Sequence, residues 1–140
     1  MKSNPYISFR DNAREALAYY QSVFGGSTEI STFADFAASD EPDEHNLVMH
    51  GQLESPAGLT LMVSDTPRSM EHSPGGSISI SLSGYLSEQA EMESYWQKLS
   101  DGGTIVMPLE PAEWGGRFGM VIDRYSVTWM ISISDDNTTR

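Results

Sequence analysis

The segment that decides the fold is Glu113 to Ser134, E-W-G-G-R-F-G-M-V-I-D-R-Y-S-V-T-W-M-I-S-I-S. It predicts two strands, 120–123 and 127–134, joined by the short polar turn D-R-Y-S. In the second strand, large apolar side chains alternate with Thr, Met and Ser, which is typical of a strand with one buried face. Such a hairpin suggests one wall of a barrel or a cup.

The same wall occurs earlier in the chain. G-L-T-L-M-V-S at 58–64 aligns without a gap with S-V-T-W-M-I-S at 126–132, at a shift of 68 residues. The segment 18–26 resembles 94–103 in the same way, so the sequence contains a duplicated unit of about 65 to 75 residues. Two units are too few for a solenoid. We therefore expect a single domain over 1–140, with pseudo-repeats 1–65 and 77–134 joined by a linker at 66–76.

Each repeat is predicted to have the order β-α-β-β-β. In the first repeat, Asn12 and Glu15 have the spacing of a helix capping box, and Gly25 ends the helix. In the second repeat, Ser87 is expected to cap the helix. The predicted strands span 5–10, 27–36, 47–53 and 59–65 in the first repeat, and 78–83, 104–109, 120–123 and 127–134 in the second. The residues from Asp135 onward are expected to be irregular.

The charge balance and the cysteine count exclude several classes of function. The chain has 8 Lys+Arg against 20 Asp+Glu, a formal net charge of −12, which argues against nucleic acid and anionic membrane surfaces as partners. It has no cysteine, which excludes disulfides, thiol catalysis and thiolate metal sites. No apolar secretory core and no run long enough to span a membrane is present, so we expect a cytoplasmic protein.

Short motifs of one known family are spread over nearly the whole chain: Y-I-S-F at 6–9, Asn12-Ala13, Glu15 to Leu17, Tyr19-Tyr20, Phe24 to Gly26, His50, Leu61-Met62, Ser64-Asp65, Gly102-Gly103, Met107-Pro108, Trp114-Gly115, Phe118-Gly119, Asp123 and Trp129-Met130. Through these residues the chain resembles the PhnB-like branch of the vicinal-oxygen-chelate superfamily, which includes glyoxalase I, bleomycin-resistance proteins and extradiol dioxygenases. The resemblance implies an α+β fold of tandem βαβββ modules that form an eight-stranded cup. Ser126 departs from the branch, which usually has glycine in this hairpin turn, and Gly51-Gln52 replaces its usual Ala-Glu.

The resemblance also suggests where a metal would bind. Metal enzymes of the superfamily take His and Glu ligands from four strand positions, which fall here near 5–7, Leu61, 77–78 and Trp129. None of these residues is His, Asp or Glu, whereas a divalent cation needs three or four converging N or O donors. We therefore predict no metal and no cofactor. A non-standard site that uses His45 or His72 remains open.

The candidate binding residues are Tyr6, His50, Trp114, Phe118 and Trp129. Strand alternation puts His50 on the same side as Val48 and Gln52 and opposite Met49, so His50 is expected on the polar face of its sheet. It is either a satisfied structural histidine or a proton carrier and ligand partner. Trp114 either covers a cavity or packs at a dimer interface, and Trp129 is either a core residue or a ligand contact.

Two functional hypotheses follow. In the first, the chain binds or sequesters a small, planar molecule without metal, because an aromatic cup with few polar groups suits such a ligand. In the second, it is a metal-independent enzyme that uses His50 as acid or base. The resemblance also implies a homodimer, which the aromatic surface around Tyr19, Tyr95 and Trp96 favours.

Overall fold

The computed structural model describes residues 1–37 and 39–135. The chain divides into two compact units, Met1–Pro74 and Gly75–Arg140. The boundary between the units lies inside the predicted linker 66–76. The C-terminal end was predicted to be irregular from Asp135 onward, and the residues beyond Asp135 lie outside the described part of the chain.

The first unit is a four-stranded sheet with one long helix. Its elements are β1 (Tyr6–Phe9), α1 (Ala13–Phe24), β2 (Ser27–Thr32), β3 (Val48–Glu54) and β4 (Thr60–Asp65). The strand order is β1-β4-β3-β2, with β1 parallel to β4 and the other pairs antiparallel. The mixed pairing follows from the helix, because α1 carries the chain over one face of the sheet before β2 begins.

The second unit repeats this arrangement. Its elements are β5 (Ile80–Tyr85), α2 (Gln89–Ser100), β6 (Thr104–Pro111), β7 (Arg117–Ile122) and β8 (Thr128–Ser134). The strand order is β5-β8-β7-β6, and β5 is parallel to β8. The predicted α+β fold of tandem βαβββ modules is confirmed. The eight described strands form two four-stranded mixed sheets and no closed barrel.

Two glycines mark equivalent positions in the two units. Gly51 is paired with Val63, and Gly119 is paired with Ile131, which preserves the shift of 68 residues found in the sequence. A Cβ atom on Gly51 would lie 3.0 Å from Leu17 Cδ2 of α1, and one on Gly119 would lie 2.8 Å from Trp96 Cη2 of α2. In both units, glycine in the third strand therefore lets the helix side chain approach the sheet closely.

Asp65 caps helix α1, and the predicted capping box is wrong. The side chain of Asn12 makes no capping hydrogen bond. The buried carboxylate of Asp65 instead accepts hydrogen bonds from Ala13 N at 2.9 Å and from Val48 N at 2.9 Å. A residue 52 positions away in sequence satisfies the helix terminus, which local spacing could not reveal.

Several other element boundaries differ from the sequence prediction; β7, for example, begins at Arg117 and not at 120. Strand β2 ends at Thr32 and not near Phe36, because Asp35 Oδ2 accepts from Thr32 N at 2.8 Å and Thr32 Oγ1 accepts from Asp35 N at 3.2 Å. This reciprocal pair starts a short 3-10 helix at Ala34–Phe36. Ser87 does not cap α2 directly: a 3-10 turn at Leu86–Glu88 precedes the helix, whose N-terminal cap residue is Glu88.

A β-bulge in the first unit changes the predicted alternation of β3. Ser31 pairs with His50, but Thr32 pairs with Val48, so the register shifts between them. As a result Val48 is buried and Met49 is exposed, the reverse of the sequence prediction. His50 lies beyond the bulge, on the face expected. No helix in the described part of the chain is long and apolar enough to cross a membrane.

Candidate functional site

The face of the first sheet opposite helix α1 is lined by polar side chains. Residues on the helix side, including Leu53, Leu61 and Val63, are fully buried. The alternate positions point the other way, because side chains alternate along a strand. We call this surface the polar face; its residues are Tyr6 and Ser8 of β1, His50, Gln52 and Glu54 of β3, and Thr60, Met62 and Ser64 of β4.

A chain of hydrogen bonds crosses the polar face. Tyr6 Oη lies 3.0 Å from His50 Nδ1, and His50 Nε2 lies 3.2 Å from Gln52 Oε1. Gln52 Nε2 then donates to Glu54 Oε1 at 2.6 Å, and Thr60 Oγ1 donates to Glu54 Oε2 at 2.7 Å. Five side chains from three neighbouring strands are thus joined in one network that ends at a carboxylate.

The network favours the ionised form of Glu54. The hydrogen bonds from Thr60 and then from Gln52 hold the pKa of Glu54 below its ordinary value of 4.5. Such bonds favour the charged form of a carboxyl group. At neutral pH, well above the ordinary value of 4.5, the Glu54 side chain is a carboxylate, which only accepts hydrogen bonds.

Tyr6 and His50 also form an aromatic pair. Their ring centroids are 5.5 Å apart, and the ring planes meet at 60° in an edge arrangement. Tyr6 is 51% exposed, and His50 is half-buried. Tyr6 and His50, the two site residues predicted in the first unit, thus bring an accessible ring into direct contact with a titratable group.

In the second unit, Trp114 and Phe118 are brought together. Their ring centroids are 5.8 Å apart at 65°, and Trp114 is 73% exposed. Gly115 and Gly116, with φ of 96° and 71°, turn the chain between them. Gly116 N donates to Asp135 Oδ2 at 2.8 Å, so the loop that carries Trp114 is anchored next to the end of β8.

Trp129 lies in the core of the second unit. Of the two alternatives that the sequence left open, core residue or ligand contact, the first fits this position. Its side chain is 0% exposed, and Nε1 donates to Asp123 Oδ2 at 2.9 Å. A buried indole N–H normally requires such a partner. We therefore leave Trp129 out of the candidate site.

The residues at the mapped metal positions do not fit a metal. Leu61 and Trp129 are buried apolar residues on the helix side of their sheets. Their neighbours on the other face are Met62 and Met130, which offer no hard N or O ligand. His45 is exposed, and His72 Nδ1 lies 3.5 Å from Thr66 Oγ1. In residues 1–37 and 39–135, no three His, Asp or Glu side chains are grouped so as to hold an ion.

Three members of the polar network were not predicted from the sequence. Gln52, Glu54 and Thr60 join His50 and Tyr6 on the polar face. The signal was present in β3, where His50, Gln52 and Glu54 alternate at every second residue and so share a face.

Comparisons with known proteins support the fold and the family. Protein PA1353 from Pseudomonas aeruginosa is 34% identical, with a TM-score of 0.80 over 97% of this chain and 99% of that one. A PhnB protein from Bacillus cereus is 23% identical, with a TM-score of 0.72 over 96% and 100%. A glyoxylase/bleomycin resistance protein/dioxygenase domain from Frankia sp. EAN1pec, 11% identical, has a TM-score of 0.61 over 96% and 97%.

The family assignment extends over almost the whole chain. The family model that matches residues 1–132 is described as 3-demethylubiquinone-9 3-methyltransferase. This match includes both βαβββ units, with all strands except the last residues of β8. The chain belongs to this PhnB-like family, whose members share the glyoxalase/bleomycin-resistance/dioxygenase fold.

Proposed function

We propose that this chain binds or sequesters a small, planar molecule at the polar face, without a resident metal and in the cytoplasm. The observation that carries the proposal is the contact between Tyr6 Oη and His50 Nδ1 at 3.0 Å on an accessible surface. Small-molecule sites combine apolar or aromatic surface with a few placed polar groups. Tyr6 and His50 supply both in one pair.

The aromatic geometry supports a planar ligand. The half-exposed Tyr6 ring leaves an aromatic surface against which another ring can stack or pack edge-on. In the second unit, Trp114 and Phe118 present a further aromatic pair, and both are proposed to contact a planar ligand bound at that unit. The acidic surface of the chain disfavours strongly anionic ligands.

The name of the family suggests a methyltransferase, but the residues do not favour that activity. Methyl-donor nucleotides and dinucleotides are commonly held by a glycine-rich turn between a strand and a helix. The turn between β1 and α1 is Arg10-Asp11-Asn12, without glycine. We therefore do not propose methyltransferase activity for this chain.

A metal-independent enzyme is the second candidate function. Both ring nitrogens of His50 have hydrogen-bond partners, Tyr6 on one side and Gln52 on the other. An imidazole oriented in this way can exchange a proton through Tyr6, as a general acid or base requires. Turnover of a bound ligand that is lost in His50→Ala, with binding retained, would favour this second function.

A ligand screen tests the proposed function. Thermal shifts of the purified protein are measured against a library of planar small molecules, with and without added divalent cations. We expect stabilising compounds whose effect does not require a metal, and His50→Ala should weaken their binding by about 1 to 3 kcal/mol. A screen in which stabilisation appears only with a divalent cation would contradict the metal-free proposal.

A further inference from the structure

The hydrogen bonds of the polar face have a fixed direction, which starts at Glu54. Since the Glu54 carboxylate only accepts, the Gln52 atom that contacts it at 2.6 Å must be the amide nitrogen. The amide oxygen of Gln52 then faces His50 Nε2, 3.2 Å away. The charged end of the network therefore fixes the orientation of the Gln52 amide.

The same reasoning fixes the tautomer of His50. An amide oxygen has no proton to give, so His50 Nε2 must carry a hydrogen and donate it to Gln52. In the neutral ring, Nδ1 is then the unprotonated nitrogen and accepts. Tyr6 Oη, 3.0 Å from Nδ1, must be the donor of that bond.

We propose that Tyr6 Oη is the ligand-facing acceptor of this network and that the ligand is an aromatic molecule carrying an O–H or N–H donor. The inference rests on the proposed function and names the ligand class at the same site. The only proton of the Tyr6 hydroxyl is used in the bond to His50, so the oxygen has lone pairs and no hydrogen to offer to a ligand. A phenol or an aromatic amine can donate a hydrogen bond to the Tyr6 oxygen, whereas a ring that presents only an acceptor cannot.

The first test reads the tautomer of His50 in the free protein. Histidine is labelled with 15N, the spectra are recorded at alkaline pH, and His45→Gln and His72→Gln assign the signals. We expect His50 to carry its proton on Nε2, with unprotonated Nδ1. A ring protonated on Nδ1 would overturn the inference, because Tyr6 would then be free to donate.

The second test uses two matched probes, naphthol and its methyl ether methoxynaphthalene, with binding measured by calorimetry. Both offer the same ring, but only naphthol has a donor. We expect naphthol to bind about five- to tenfold more tightly, the effect of one net hydrogen bond. Tyr6→Phe should abolish this preference, and Tyr19→Phe, which removes the same hydroxyl from helix α1, should retain it.

The outcomes separate the inference from the proposed function. If the wild-type protein binds both probes equally, or if Tyr6→Phe keeps the preference for naphthol, the donor requirement is wrong and aromatic binding stands. If neither probe binds, the inference and the proposed aromatic binding at the polar face both fail. Tighter binding of naphthol that depends on Tyr6 supports both.

Discussion

Asp123 Oδ2 accepts a hydrogen bond from Trp129 Nε1 at 2.9 Å inside the second unit. The other carboxylate oxygen, Oδ1, accepts from Tyr125 N at 2.8 Å and Val127 N at 3.1 Å. One buried side chain thus closes the turn between β7 and β8 and satisfies the polar atom of the largest fully buried side chain. The sequence predicted that Asp123 lies where a strand meets a polar turn, but it did not reveal the bond to the indole.

Asp123→Ala should strongly destabilise the protein. The change leaves two backbone amides and a buried indole N–H without their acceptor, and it should lower the free energy of unfolding by about 2 to 4 kcal/mol. Urea unfolding followed by circular dichroism measures the effect. Asp101→Ala is the control, because the Asp101 side chain is 82% exposed, and it should change stability by no more than about 0.5 kcal/mol.

Ser126→Gly should stabilise the protein. Ser126 has φ of 69° at the end of the β7–β8 turn, where its amide donates to Asp123 O at 3.0 Å. A residue with a Cβ atom is strained in this left-handed conformation, whereas glycine is not, and relief of the strain exceeds the entropy cost of glycine by about 0.5 to 1 kcal/mol. The urea midpoint should rise in Ser126→Gly and not in Ser126→Ala. A lower urea midpoint in Ser126→Gly would show that Ser126 is not strained.

Features of the fold that leave a pattern in the sequence could be predicted, whereas those that depend on contacts between distant residues could not. The repeat at a shift of 68 residues was readable because equivalent strands keep equivalent residues, as Gly51 and Gly119 demonstrate. The capping of α1 by Asp65 was not readable, since it joins positions 52 residues apart. The bulge next to His50 also escaped detection, because a single extra residue exchanges the faces of Val48 and Met49 without a mark in the sequence.

The candidate site was predicted in part for the same reason. His50 and Tyr6 were found from residue type and strand alternation, but their contact depends on β1 and β3 both flanking β4, which only the sheet order reveals. Trp129 illustrates the opposite case. Alternation placed it with Ile131 and Ile133 on the apolar side of β8, and the structure buries all three.

Glu54→Gln should reduce stability in a manner that depends on pH. The pKa of Glu54 is lower in the folded protein than its ordinary 4.5 because Thr60 and Gln52 donate to the carboxylate. A lowered pKa of an acid contributes stability above the unfolded-state pKa, and this contribution is lost as the pH falls through the folded-state pKa. The deficit of Glu54→Gln relative to the parent should therefore be largest at neutral pH and shrink below pH 4.5.

Glu29→Gln is the matched control for this experiment. Glu29 lies on β2, paired in register with Gln52, and its substitution removes one negative charge from the same sheet. It therefore measures how much stability changes when the removal of one negative charge reduces the charge repulsion in an acidic protein. Identical pH profiles for Glu54→Gln and Glu29→Gln would contradict a specific role for the hydrogen bonds to Glu54.

The protein is predicted to be a homodimer. The prediction comes from the family resemblance and from the aromatic side chains of Tyr19, Tyr95 and Trp96, which remain partly accessible on helices α1 and α2. Multi-angle light scattering at micromolar concentration should give about twice the chain mass of 15.4 kDa. A mass equal to that of a single chain would contradict it.

Trp114→Ala should weaken ligand binding without unfolding the protein. Trp114 is 73% exposed and contacts Phe118 edge-on, so its removal costs little packing but deletes an accessible aromatic surface. If the ligand stacks on this ring, affinity should fall by about 1 to 3 kcal/mol, while the melting temperature should change little. Trp114→Phe keeps an aromatic ring and should recover part of the affinity. If Trp114→Ala instead binds normally but melts well below the parent, the ring has a structural role and is not a ligand contact.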